Sequence, residues 1–391
     1  MNLNILKDKV QQYINDKLKS EITKLILKGS PFDDISSQEL ANQIVAKQKS
    51  EKKLPTWFTT QNIYYPPKIS IEQTSSEITA EYKSNIIKGD TIIDITGGFG
   101  VDCYYFSKSF KQVTHCEIND ELSKIVSHNY QKLAINNVTT FSGNGFDFLK
   151  STDSNFDSIY IDPSRRSDVK GKVFLLKDCL PYVPPKIDFF FTKANNILIK
   201  VSPILDITNT INDLKNVKEV HVVAVNNEVK ELLFLLEKEY NKSIEIKTVN
   251  HQKGELQTFS FIYNENAQAD YSSPLNYLYE PNSAILKSGA FQQIANHTKT
   301  FKLHKHSHLF TSELLITFPG RTFKIDSVLK YDKKKLKKLL PNNKANFTIR
   351  NFPKTVSQLR KETKIKDGGS IYVFFTKNNK NELITIICSK T

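Results

Sequence analysis

The chain has only four cysteines in 391 residues and no C-x-x-C pair. That excludes a disulfide framework and a cysteine-built zinc module, and makes a reducing cytoplasm the expected compartment. It has no run of about 18 apolar residues, so no membrane-spanning helix is expected. The opening MNLNILKDKVQQYIND alternates polar and apolar residues and lacks the apolar core of a secretory signal. Acidic residues are scarce in one place only. Residues 271–391 carry 22 Lys and Arg against 7 Asp and Glu, a net of +15, whereas residues 1–270 come to −1. A near-neutral body with a basic appendage suits an enzyme that acts on nucleic acid through a separate binding region. A lysine-rich solvated surface is the plainer alternative.

Apolar and aromatic residues are plentiful at 39% and 11%, with 25 Phe and 16 Tyr, enough for real cores. The length predicts two or three domains. Residues 1–65 read as helical. Leu6, Val10, Tyr13, Ile14, Leu18, Ile22, Leu25 and Ile26 recur at helical spacing up to Gly29, and Ser36 with Glu39 forms a capping-box pattern before a second helix. LPTWFTTQNIYYPPK reads as a linker packed on something, and SSEITAEYKSNII as a further helix.

From residue 91 strands alternate with helices: TIIDI, QVTHCEI, NVTTFSG, DSIYID, NILIKVSP and KEVHVVAVN, with QTFSFIYN closing the unit. This spacing predicts a parallel sheet with helices on both faces. ELLFLLEKEY fits a helix or a strand. After about residue 267 the pattern shifts to a small mixed region, with strand material at FKLHKHSHLFTSE and LLITFPGRTFKI. KYDKKKLKKLL reads as a basic helix with Leu336, Leu339 and Leu340 on one side.

The central motif is IIDITGGFGVD. A strand runs into a turn holding Gly97, Gly98 and Gly100, and a helix follows, which lets a nucleotide ligand approach backbone at a helix start. A dinucleotide fingerprint would need glycine at 103, where Cys103 stands, and no GKS or GKT of a P-loop occurs. Asp94 at the strand end suits a cationic ligand better than a pyrophosphate. Glu117, ending the next strand, is placed to accept both hydroxyls of a ribose. In SGNGFDFL, Asn144 is a candidate for an adenine amine and Phe146 for stacking on the ring. DSIYIDPSRR ends a strand at Asp162, and Arg165 and Arg166 follow in the loop, a pair suited to gripping a phosphate.

Together, and in this order over about residues 75–265, these motifs resemble a class I S-adenosylmethionine-dependent methyltransferase. The resemblance implies a Rossmann-like α/β sheet with S-adenosyl-L-methionine as cofactor. Asp94, Thr96, Gly97, Gly98 and Gly100 would wrap its methionine end, Glu117 would hold the ribose and Asn144 and Phe146 the adenine, with Asp102 a further cofactor-binding residue. Asp162, Arg165 and Arg166 would be the catalytic set. DPSRR departs from the amine-methylating pattern of Asp, Asn or Ser, two prolines and an aromatic, since Ser164 and Arg165 replace the last two. A C5-uracil mechanism needs a cysteine nucleophile. None of Cys103, Cys116, Cys179 or Cys388 has the expected context, and Cys179 reads as a packed helix residue.

More narrowly, DITGGFGVD, DPSRR, IKVSPILDI and IRNFPKTVSQLRKETKIKDGGSIYVFFT are similar to the bacterial methyltransferases with a THUMP-like carboxyl-terminal domain. That implies an N-terminal helical region (1–70), a methyltransferase domain (71–268), a ferredoxin-like segment (269–318) and a THUMP-like RNA-binding domain (319–391), the last two making a small α+β region. RNA, as tRNA or rRNA, is the expected partner. Lys333, Lys334, Lys335, Lys337, Lys338, Arg350 and Arg360 are the candidate contacts, with no membrane and no metal expected. His304, His306 and His308 would share one face of a strand, where surface or domain contact is favoured over a metal. The rival readings are a methyltransferase for a protein or small molecule, and a non-catalytic RNA-binding protein.

Overall fold

The computed structural model describes residues 1–165, 175–340 and 342–391. They divide into two compact units, Met1–Lys218 with Leu233–Lys242, and Glu219–Leu232 with Ser243–Thr391.

The first unit opens with α1 (Asp8–Asp16) and α2 (Ile22–Lys28). One continuous helix was the expectation. The chain leaves the helix after Asp16 in tight turns, the Leu18 N–H donating to the Asn15 carbonyl and the Ser20 N–H to the Lys17 carbonyl, and the Gln48 side chain donates to the Leu18 carbonyl between the two helices. α3 (Ser37–Lys53) starts on the expected Ser36–Glu39 capping box. α4 (Pro55–Thr59), α5 (Lys68–Gln73) and α6 (Glu77–Ile86) follow. Trp57 is 1% exposed and meets Tyr104 edge-on at 4.8 Å, so the aromatic linker is packed on the fold.

β1 (Thr91–Asp94), α7 (Val101–Phe106), β2 (Gln112–Glu117), α8 (Asp120–Lys132), β3 (Val138–Ser142), α9 (Gly145–Ser151) and β4 (Phe156–Ile161) come next. Then come β5 (Ser164–Arg165), β6 (Cys179–Leu180), α10 (Ile187–Lys193), β7 (Ala194–Val201) and α11 (Ile207–Asp213). The sheet order is β3-β2-β1-β4-β7, all parallel. Ile92, Ile93, Ile159, Tyr160, Ile161, Ile197, Leu198 and Ile199 are buried, as strands covered on both faces require. Strand order reverses between β1 and β4, and a crevice opens past the carboxyl ends of strands at such a switch.

β8 (Val217–Val225) and β9 (Glu228–Glu237) each cross a unit boundary. The ambiguous ELLFLLEKEY is therefore strand through Glu237, with Glu231–Leu236 buried without interruption. In the second unit β8 runs parallel to β10 (Glu245–Gln252), and β11 (Glu255–Ile262) returns antiparallel.

The rest of that unit comprises β12 (Tyr277–Pro281), α12 (Ser283–Ser288), α13 (Phe291–Thr298), β13 (Phe301–Lys302), β14 (Phe310–Ser312), β15 (Gly320–Lys330) and α14 (Lys333–Leu339). It ends with β16 (Asn346–Ile349), α15 (Val356–Thr363), β17 (Ile371–Lys377) and β18 (Leu383–Lys390). One sheet holds them in the order β13-β14-β12-β15-β18-β17-β16. The expected boundary at 318/319 meets this sheet at the start of β15, which pairs with β12 at one end and β18 along most of its length. Gly320 makes that join possible, because a Cβ there would lie 2.1 Å from the Glu280 carbonyl.

Two expectations for this unit need correction. His304, His306 and His308 do not share a strand face, since the chain turns between β13 and β14. Asn351 and Asn381 hold His304, and His308 stacks on Phe291 at 3.6 Å. The apolar side of α14 is Leu336 and Leu340, both buried, while Leu339 is 49% exposed.

Candidate active site

Sheet register brings the candidate residues together. Asp94 of β1 lies level with His115 of β2 and Tyr160 of β4. Glu117 and Asp162 follow two residues later on those strands. Ile161 pairs with Ile199, so Asp162 and Lys200 are the next residues on neighbouring strands. Their side chains form an ion pair through Asp162 Oδ2. Neither Lys200 nor the partners of Asp102 described below were singled out in the sequence. The signal was available: IKVSP ends a strand, and the βα order makes that strand the neighbour of the one ending in Asp162.

The glycine turn is tied down from three sides. Thr96 donates from its backbone N–H and its hydroxyl to Asp94 Oδ1, at 2.8 and 3.0 Å. The Asp162 N–H donates to Thr96 Oγ1 at 2.7 Å, which locks the β1 turn to the end of β4. Glu117 Oε2 accepts the Gly98 N–H at 2.8 Å, and Oε1 accepts the Asn119 N–H at 2.7 Å. Gly100 has φ +76°, and a Cβ there would meet the Tyr130 hydroxyl at 2.3 Å. A Cβ on Gly97 would lie 2.5 Å from His115 Nε2. Burial pulls that imidazole down to about 4, so it stays neutral beneath the turn.

Asp94 is 2% exposed. Burial, with Asp102 and Asp162 nearby, pushes its carboxyl up to about 7 against the opposing bonds from Thr96. Unfolded, the group loses its proton near pH 4. A raised carboxyl costs stability as pH rises between those values, by about 1.4 kcal/mol per unit of separation. The expected result is that Asp94→Asn gains stability over the wild type between pH 5 and pH 8, by a few kcal/mol. Equal denaturation midpoints of the two proteins at both pH values would count against it.

Beneath the turn lies a second carboxylate. Asp102 on α7 accepts from Ser75 Oγ at 2.8 Å and Tyr160 Oη at 3.0 Å, and Lys83 Nζ is 3.1 Å from its other oxygen. Burial alone would raise this carboxyl, but Lys83 and then Lys200 hold it below the usual range.

The remaining candidates fall out unevenly. Asn144 caps α9, its side-chain oxygen accepting the N–H groups of Phe146 and Asp147. Phe146 is half-buried against Phe189 and Phe190, with Lys186 Nζ 4.0 Å from its ring centre. DPSRR was expected as a loop, but Ser164–Arg165 pairs antiparallel with Cys179–Leu180, so Cys179 is a buried strand residue and not a helical one. Arg166 lies outside the described residues, and Arg165 is described only by its place in β5.

In the second unit Lys333, Lys334, Lys335, Lys337 and Lys338 are all exposed along α14. Arg350 and Arg321 both pair with Glu280, which is 4% exposed. Arg360 donates to the carbonyls of Ile365 and Ala345 and pairs with Asp367. Among the described residues no group of three or more His, Cys, Asp or Glu could hold a metal, and no helix is long and apolar enough to cross a membrane.

Comparison with known proteins adds the following. Residues 320–390 match a family described as THUMP domain-like, and residues 277–319 match a ferredoxin-like domain. The crystal structure of a provisionally assigned methyltransferase from Porphyromonas gingivalis W83 superposes with a TM-score of 0.90 and 30% identity, over 99% of this chain and 98% of that one. A provisionally assigned methyltransferase from Streptococcus mutans, in complex with SAH, matches at TM-score 0.31 and 13% identity, over 41% of this chain and 96% of that one. An rRNA methylase from Streptococcus thermophilus matches at 0.30 and 12%, over 42% and 98%. Scores as low as these two do not bear on function. No curated protein sequence matches.

Proposed function

The chain belongs to the class I methyltransferases that carry a THUMP-like domain at the carboxyl end, and from that premise we propose that it moves a methyl group from S-adenosyl-L-methionine to a nucleotide of tRNA or rRNA in the cytoplasm. The observation that carries the donor reading is the glycine turn held between Asp94 and Glu117 at the switch point of the parallel sheet.

The residues fit the donor. Asp94 is a buried carboxyl whose charged form lacks a compensating cation in its own bonds, and a cationic ligand would favour that form. Each Glu117 oxygen takes one backbone N–H and keeps a lone pair for a ribose hydroxyl. Asn144 has its oxygen committed to the cap, so what remains is its amide N–H₂, which can donate to an adenine ring nitrogen but cannot accept from the adenine amine. When bound, the donor supplies a methyl group on a sulfonium, activated for direct displacement. The chain orients the acceptor and takes its proton. The RNA half of the reading is supported by the basic carboxyl-terminal third, by α14 with its five exposed lysines, and by the THUMP-like match.

Glu117→Ala is expected to weaken donor binding by about 1–3 kcal/mol, roughly 5- to 150-fold, measured by calorimetry with S-adenosylmethionine. Unchanged affinity would remove Glu117 from the site. Transfer of tritiated methyl by purified protein tests the acceptor. Label in the RNA fraction supports the proposal, whereas label confined to protein or small metabolites keeps the donor reading and overturns the RNA one.

A further inference from the structure

Asp162 directly follows the last residue of β4, Lys200 is the penultimate residue of the parallel neighbour β7, and the two pair through Asp162 Oδ2, while the Asp162 backbone is fixed by Thr96. The lysine side chain is 13% exposed and the carboxylate 35%, so the cation is the more enclosed partner and the carboxylate the more open one. This is the arrangement of a carboxylate aimed from behind, with no bond to Oδ1 among the described residues.

Two other routes open to an RNA methyl acceptor, at a base carbon and at an exocyclic amine, are poorly served. A carbon acceptor would need a thiolate to add to the base. All four cysteines are buried, and burial pushes the Cys116 thiol up to about 12 and Cys103 well above its ordinary range. An exocyclic amine acceptor is favoured by an apolar, aromatic clamp after Asp162. The chain instead turns into the β5–β6 ladder with Ser164 and Arg165 there. A hydroxyl asks for something else, one proton acceptor in a fixed place. As its oxygen gains the methyl it becomes an oxonium, acidic enough for a carboxylate to deprotonate.

We infer that the acceptor is the ribose 2′-hydroxyl of an RNA nucleotide, with Asp162 taking its proton and Lys200 as a positioning residue that orients Asp162. The inference rests on the RNA reading above. In the step, a lone pair of the hydroxyl oxygen forms the bond to the methyl carbon as the carbon–sulfur bond breaks. The bonding pair goes to sulfur, which becomes a neutral thioether. The hydroxyl proton passes to Asp162 Oδ1, and from there to water.

The full chain, tritiated donor and unmodified transcripts of tRNA and rRNA test this directly. After transfer the RNA is hydrolysed in alkali. A 2′-O-methyl group removes the nucleophile that cleaves the next phosphodiester, so the expected label emerges in dinucleotides. Label in mononucleotides means a base was methylated. That overturns this inference and leaves the RNA reading standing. Label in protein or metabolites but not in RNA overturns both.

The role of Lys200 is tested separately. Lys200→Met should lower kcat about 100-fold or more, with KM for RNA and the calorimetric donor affinity within about twofold of wild type, and Lys200→Arg should recover part of the loss. Retained kcat in Lys200→Met, or a parallel fall in donor affinity, would overturn the positioning role.

Discussion

Asp102→Ala should cost about 3–5 kcal/mol of folding stability, the range for breaking a buried pair from one side. The reason lies in Lys83, whose side chain is 0% exposed and whose ammonium is 3.1 Å from Asp102 Oδ1. Lys83 also reaches Ser75 Oγ at 3.1 Å, but a hydroxyl cannot replace the lost carboxylate charge. Ser75 and Tyr160 would lose an acceptor as well. Urea denaturation measures the effect. The double variant Lys83→Met with Asp102→Leu should be markedly more stable than Asp102→Ala, since a well-filled apolar pair restores contacts and leaves no buried ammonium that has lost this carboxylate. A loss below about 1 kcal/mol in the single variant would mean that Lys83 is compensated elsewhere and that Asp102 is not its anchor.

The same pair shows why only part of the site was legible in the sequence. Asp94, Glu117 and Asp162 announce themselves, because each ends a short apolar strand and the βα alternation makes those ends converge. The glycine turn is local, and local chemistry is readable. Lys83 comes from α6 and Ser75 from the link between α5 and α6, and no periodicity ties them to α7. The resemblance places Asp102 among the donor residues; its bonds in the fold go to Ser75, Tyr160 and Lys83. ELLFLLEKEY could not be resolved because a short strand buried on both faces and a buried helix segment give the same apolar run. The histidine triplet misled for the opposite reason. Alternation predicts a shared face only inside a strand, and residues 303–309 turn instead.

Arg350 and Arg360 teach the same lesson about charge. From sequence they rank with the lysines as phosphate contacts. In the fold Arg350 serves the buried Glu280, and Arg360 closes the end of α15 on Ala345, Ile365 and Asp367 and lies 4.5 Å from the centre of the Phe347 ring. The excess positive charge of the region therefore overstates what is free to meet an anion. The lysines of α14 are a different case. Asp332 caps the helix, and Leu336 and Leu340 bury with Leu359, Val373 and Phe375, which leaves all five lysines outward on a fixed support.

Replacing Lys333, Lys334, Lys335, Lys337 and Lys338 together by alanine is accordingly expected to flatten the salt dependence of RNA binding. Each neutralised phosphate contributes roughly 0.7 to the slope of log affinity against log salt for single strands and roughly 0.9 for a DNA duplex. If all five engage, the slope falls by about 3.5 or more, and wild type loses about 100-fold more affinity than the variant between 50 and 200 mM salt. The variant should keep its folding midpoint, because alanine is the better helix former and no lysine of α14 is buried. Arg350→Ala and Arg360→Ala should do the reverse, lowering the folding midpoint while leaving the slope nearly unchanged. A slope unaltered in the lysine variant would move the RNA surface off α14. A slope lowered equally by the arginine variants would mean that their ion pairs open when RNA binds.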